Sequence, residues 1–250
     1  MKNFPPNVEA IMKKHVRFII FYLVINFIII LFGTFQKPSL LAQDIEVITP
    51  AKTLHPPLID GLLDDKSWEE QPLDKEFKTY NPTYGEILPH KTLVWICYDN
   101  ENIYFAFQCF DPEPLKIKTS ISQRDRMFSD DWIGLSLESL NNNQSAYDLF
   151  VNPSGIQGDI LNSAVSGEDT APDFIWDSAG QITAEGYQVE IKIPLKSIRF
   201  KSGKEVKMGL LFWRRISRLS MSGSFPEIKP GEGLFNINAT VIFKDLKSPL

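Results

Sequence analysis

Residues 92–110 read TLVWICYDNENIYFAFQCF, two apolar runs separated by a short polar turn. Strand-length runs rich in aromatic and β-branched residues on either side of Asp-Asn-Glu-Asn predict a β-hairpin. Both faces of each run are apolar, so these strands belong in the middle of a sheet, with neighbours or loops covering each side. Closing the hairpin on Tyr98 and Ile103 sets Cys97 opposite Tyr104 and leaves Cys109 five residues further along, roughly 17 Å away at the usual strand rise. A disulfide needs Cα atoms within about 7 Å. Cys97 and Cys109, the two cysteines of the chain, are therefore predicted to be separate buried thiols.

The rest of the chain after Gln43 repeats this style, with short apolar runs broken by turn residues and almost no helical period. Besides the hairpin, strands are predicted at residues 45–48, 132–138, 146–151, 156–161, 187–193, 206–215 and 235–243. The fold class that follows is all-β, an antiparallel β-sandwich of about eight to nine strands. Within WIGLSLE, alternation sends Ile133, Leu135 and Leu137 to the core and turns Trp132, Gly134, Ser136 and Glu138 to the opposite face, which is expected to be open. In YQVEIKIPL, Val189, Ile191 and Ile193 point inward, and Pro194 ends the strand because it has no N–H for the ladder.

The N-terminus is of another kind. Lys13, Lys14 and Arg17 precede an apolar run from Phe18 to Phe35, and the small residue Ala42 stands before Gln43. This order is that of a signal peptide over residues 1–42, with a β-sandwich over residues 43–250; a retained membrane anchor is the alternative. Met12 makes a more typical start than Met1. Removing residues 1–42 takes away five basic residues and one acidic residue, moving the formal charge from −5 to −9. Such an acidic body argues against nucleic acid as a partner. His55 and His90, the histidines that remain, stand beside prolines and are not placed for catalysis or zinc.

Three acidic stretches invite a chemical reading. LIDGLLDDKSW, residues 58–68, holds Asp60, Asp64 and Asp65, but not at the spacing of a calcium-binding loop. An Asp-Gly turn followed by a short helix capped by Asp64, carrying Trp68 into the core, is the structural reading. Asp130, Asp131 and Asp159 could flank a glycosidic bond. Arg124 and Arg126 stand close enough in sequence to neutralise them, which opposes the raised pKa an acid catalyst needs. Arg-Asp bracing of a loop end is expected instead. Nucleophile turns, phosphate-binding glycine loops, dinucleotide fingerprints and cysteine-histidine metal spacings are absent from the sequence. Trp132 remains as a flat platform for the C–H face of a sugar ring, with Gly134 beside it leaving room, and Phe128 and Trp176 in neighbouring loops as helpers.

The ordered set IDGLLDDKSW, VWICYDNENIYFAFQCFDPEP, SDDWIGLSLE, YDLFVNPSGIQGD, EGYQVEIKIPLKSIRF and GLLFWRRISR resembles the family 9 carbohydrate-binding modules. The likeness runs from about Ile59 to Arg218 and is greatest to the version that precedes an outer-membrane-type barrel in exported bacterial proteins. It implies a β-sandwich, a periplasmic or envelope location in a Gram-negative bacterium and a link to polysaccharide use. Some members are joined to glycoside hydrolases, and some bind structural calcium. Where sugar-binding members carry an acidic residue after the Asp pair this chain has Gly134, and where they carry an arginine before Val-Asn it has Phe150. The function expected is noncatalytic binding of a polysaccharide or oligosaccharide, with docking on an outer-membrane barrel as the alternative and glycoside hydrolysis as the third reading.

Overall fold

The computed structural model describes residues 14–24, 26, 45–230 and 239–247. The chain divides into two units, Met1–Gln43 and Asp44–Leu250. In the first, residues 14–24 are helical and exposed. Among the described residues no helix is long and apolar enough to cross a membrane. The predicted cleavage site after Ala42 and most of the apolar run lie outside the described residues.

The second unit is a β-sandwich. Its strands are β1 (Glu46–Ile48), β2 (Ala51–Lys52), β3 (Lys78–Asn81), β4 (Thr92–Tyr98), β5 (Asn102–Phe110), β6 (Trp132–Glu138), β7 (Ser145–Val151), β8 (Gln157–Ser163), β9 (Gly167–Asp169), β10 (Asp177–Thr183), β11 (Gly186–Pro194), β12 (Gly203–Ile216), β13 (Met221–Phe225) and β14 (Ala239–Leu246). One sheet has nine strands, in the order β1-β14-β12-β6-β7-β8-β9, with β13 pairing to β12 and β3 pairing to β13; the other runs β10-β11-β5-β4-β2. Pairing is antiparallel except for β1 on β14 and β2 on β4. Because β1 and β2 are consecutive in the chain but lie in different sheets, the stretch 46–52 stitches the two layers together at one side. The described strands exceed the expected eight or nine because short, polar or glycine-bearing segments such as MSGSF and DSAGQIT also pair.

The hairpin has the predicted register. Tyr98 faces Ile103 and Cys97 faces Tyr104, and both cysteines are free and buried. Ile103, Phe105 and Phe107 point into the sandwich, where Phe212 of β12 meets Phe105 and Phe107 edge-on at centroid distances of 6.2 and 5.6 Å. Ile133, Leu135 and Leu137 come from the other sheet into the same core. At one end, buried Arg214 of β12 reaches across to the five-stranded sheet. Its guanidinium donates to the carbonyls of His90, Lys91 and Phe110 and to the Thr92 hydroxyl.

The opening acidic stretch is a cover for the outer face of the five-stranded sheet. Trp68, Cys97, Tyr104 and Ala106 form a small cluster there. Glu190 of β11 is fully buried beneath it and accepts three hydrogen bonds, from Trp68 Nε1 at 2.8 Å and from the amides of Asp60 and Gly61 at 3.0 and 2.8 Å. Gly61 has φ +91°, and a Cβ there would stand 3.0 Å from the backbone of Gly180, so the turn packs directly on β10. The expected cap differs: the short 3-10 helix Lys66–Trp68 has Asp65 at its N-cap without a side-chain cap bond. Asp65 instead accepts from the Leu58 amide at 2.9 Å.

Candidate functional site

Of the three aromatic candidates, the structure brings two together and sets one apart. Trp132 and Phe128 lie on the outer face of the nine-stranded sheet in one cluster with Met127, Phe150, Leu211 and Trp213. The predicted open platform is corrected here, since Trp132 is only 8% exposed. The gap beside Gly134 is filled by Phe150, whose Cδ1 would lie 2.4 Å from an added Cβ. The ring of Phe150 sits edge-on to Trp132 at 5.0 Å and to Phe128 at 5.4 Å. Phe128 in turn fills the gap at Gly158, and Tyr80 caps Trp213 edge-on at 5.3 Å. Trp176 belongs to the main core cluster. The indole Nε1 atoms of Trp132 and Trp176 are both buried without a hydrogen-bond partner.

Further along the Trp132 face the aromatic floor turns polar. Trp213 Nε1 donates to Ser136 Oγ at 2.7 Å, and Asn162 donates to Asp148 Oδ2 at 3.3 Å. Asp148 Oδ1 has no partner. Burial pushes this carboxyl up to about 7, against the hydrogen bonds of Ser136 and Asn162, and the charge of Glu168 adds to the rise.

Open concave surface lies elsewhere. At the end of the sandwich where the β4–β5 hairpin turns, a groove of about 820 Å³ runs along the outer side of the five-stranded sheet. It adjoins a hollow of about 540 Å³ that shares Glu101, Asn102, Asp177 and Lys192 with it. One wall is Pro56, Pro57, Leu58 and Ile59, and Gln157 and Trp176 close one end. Lys192 and Asp177 face each other across β10 and β11 and pair at 2.8 Å. Asn102 Nδ2 donates to the Tyr104 hydroxyl at 3.0 Å, which donates to Asp99 Oδ2 at 2.8 Å. Burial would raise the Asp99 carboxyl, but the amides of Glu101 and Asn102 and the Tyr104 hydroxyl hold it below its ordinary value. The polar floor is thus pre-set by the hairpin turn itself.

Sequence reasoning missed this groove. Asp-Asn-Glu-Asn predicts a turn and nothing more, and the inward pattern of YQVEIKIPL assigns no role to its outward residues, which include Lys192. The alternation that places Ile191 in the core turns Lys192 outward, so the signal was present.

The acidic residues tested for catalysis serve the loops. Asp130 accepts from the amide and hydroxyl of Ser120 and from Asn152, while Asp131 accepts from the Ser217 amide at 2.7 Å. Arginine bracing holds for Asp159 alone, through Arg124 at 2.6 Å; Arg126 is exposed.

Structural calcium, which the resemblance leaves open, would need a set of oxygen ligands. Asp125, Asp159 and Asp173 bring carboxylate oxygens within 4.8 Å of one another. They do not fit the ion as they stand, because calcium takes six to eight oxygens. Both oxygens of Asp159 are already engaged, one by Arg124 and one by the Phe174 amide. Asp125 Oδ1 accepts from the Asp159 amide.

No family model and no curated protein matches the sequence. Solved structures do resemble it. A family 9 carbohydrate-binding module from Caldicellulosiruptor kristjanssonii in complex with cellotriose aligns with a TM-score of 0.57 at 13% identity, covering 81% of this chain and 95% of that one. The corresponding complex with glucose aligns at 0.53 and 14%, covering 82% and 99%. A proposed carbohydrate-binding protein from Bacteroides uniformis aligns at 0.61 and 15%, covering 80% and 99%. At these identities the likeness establishes architecture: the chain is built on the fold of the family 9 carbohydrate-binding modules.

Proposed function

We propose that this protein is an exported, noncatalytic carbohydrate-binding module whose glycan lies in the groove beside Glu101, Asn102 and Lys192. The observation that carries the reading is an open groove with an apolar wall and a fixed polar floor. A sugar ring needs both. Its C–H face gains from contact with Pro56 and Leu58, and its hydroxyls, each donor and acceptor, suit carboxylate, amide and ammonium groups held in place beforehand. Trp176 enters as the end of this groove. Trp132 and Phe128, packed against Phe150, form a second and closed surface, so the groove is the favoured site. Support for export is the basic, apolar and small-residue order of residues 13–42.

Calorimetric titration with soluble xylo-, gluco- and manno-oligosaccharides tests the assignment. Glu101→Ala and Lys192→Ala are each expected to weaken binding roughly tenfold, the size of a lost hydrogen bond to a charged group. Trp132→Phe should leave affinity unchanged. Equal affinity of both groove variants and the native chain would move the site elsewhere. If no glycan of a broad panel binds, the sugar reading gives way to docking on an envelope protein such as an outer-membrane barrel.

A further inference from the structure

Arg124 sits in the loop before β6, yet its guanidinium is held by oxygens from two other segments. Nε donates to Asp159 Oδ1 at 2.6 Å, one Nη to Gln157 Oε1 at 2.6 Å and the other to the Phe174 carbonyl at 2.8 Å. Asp173 Oδ1 stands 3.6 Å away. Carboxylate, side-chain amide and backbone carbonyl are the oxygen types by which proteins hold hard divalent cations. Here the positive charge at their centre is covalently part of the chain.

We propose that Arg124 is a resident cation, filling the place of a divalent metal ion among these oxygens and making the loops around Asp159 independent of metal. Three carboxylates this close would repel one another without a counter-charge. Burial disfavours the guanidinium charge, but the hydrogen bond and charge of Asp159, with Asp173 and Asp125 beyond, more than restore it. The planar fork suits the role, because it presents several donors at fixed angles, whereas a lysine offers a single point of charge. Arg124 also lies over the Trp176 ring at 5.8 Å and holds Gln157, so it positions the residues that close the groove. The proposal stands whether or not the groove binds a glycan.

Thermal unfolding in EDTA and in excess calcium chloride tests it without any sugar. The native chain is expected to show the same Tm in both. Arg124→Ala should melt about 5–10 °C lower in EDTA, as expected for an uncompensated buried carboxylate in a domain of this size. Calcium should restore at least half of that loss, because the vacated oxygens then accept the ion. A native Tm that falls in EDTA would overturn the proposal, as would an Arg124→Ala variant that melts like the native chain or one that calcium, magnesium and manganese all fail to rescue. Should Arg124→Ala not fold, Arg124→Lys decides: it keeps the charge and is expected to melt within about 5 °C of the native Tm, indifferent to chelator and calcium. A lysine variant stabilised by calcium would contradict a resident cation.

Discussion

Asp148 is the residue whose environment sets the most specific expectation. Its carboxyl is 3% exposed, one oxygen lacks a partner, and burial raises it from the ordinary 3.8 to about 7. The folded protein therefore holds this proton more tightly than the unfolded chain does. The stabilisation is fully present below about pH 4 and is lost as pH rises through about 7, by on the order of 4 kcal/mol. Burial likewise raises Glu190, Glu138 and Asp131, whose losses add to it. Asp99 and Asp111 are lowered and work in the opposite sense, losing their contribution as pH falls into the acid range. Asp148→Asn keeps the shape and removes the titration. Urea unfolding should find the native chain less stable at about pH 8 than at about pH 5, and the asparagine variant should lose most of that difference. An unchanged slope in the variant would show that Asp148 is ionised or hydrated in the folded protein.

Strands carried their information unequally. The β4–β5 register follows from where the Asp-Asn-Glu-Asn turn closes the hairpin, and the inward set of β6 from alternation within one segment, so both are legible in local sequence. What covers the other face of β6 was not legible, because the cover comes from afar: Phe128 precedes the strand, Phe150 lies on β7 and Tyr80 on β3. An absent side chain at Gly134 reads as empty space in one strand and proves to be the seat of a neighbour's ring in the sheet. Gly134→Ala measures this. Its Cβ would meet Phe150 Cδ1 at 2.4 Å and the Leu149 carbonyl at 2.7 Å, and the second contact is backbone that cannot swing aside. A loss of about 1–3 kcal/mol in denaturant unfolding is expected, and a neutral result would mean that the ring is not seated there. Strands β3, β10 and β13 are not legible because KTYN is only four residues long and DSAGQIT and MSGSF are rich in serine and glycine, which carry little strand propensity; β10 and β13 pair because the longer β11 and β12 present edges to them, and β3 adds to β13.

Taken whole, the second unit is two sheets joined by the stretch 46–52, the inner aromatic core and the buried guanidinium of Arg214, with the acidic turn at residues 58–68 laid over one outer face. That turn also raises the Pro56–Ile59 wall, so the segment that completes the fold completes the groove. The groove needs the tertiary meeting of a hairpin turn, an outward lysine and a proline-rich wall that together span more than a hundred residues of chain, which no local pattern encodes. The fold was legible because the order of its motifs is spread along the chain; the site was not, because it exists only where the segments meet. Amide chemical shifts of the isotope-labelled protein, followed during titration with cello-oligosaccharides, decide whether a glycan lies in the groove. Saturable shifts confined to Asn100–Asn102, Asp177–Ser178 and Lys192 are the predicted result, whereas shifts centred on Trp132 and Val151, or none with any glycan tried, would contradict it.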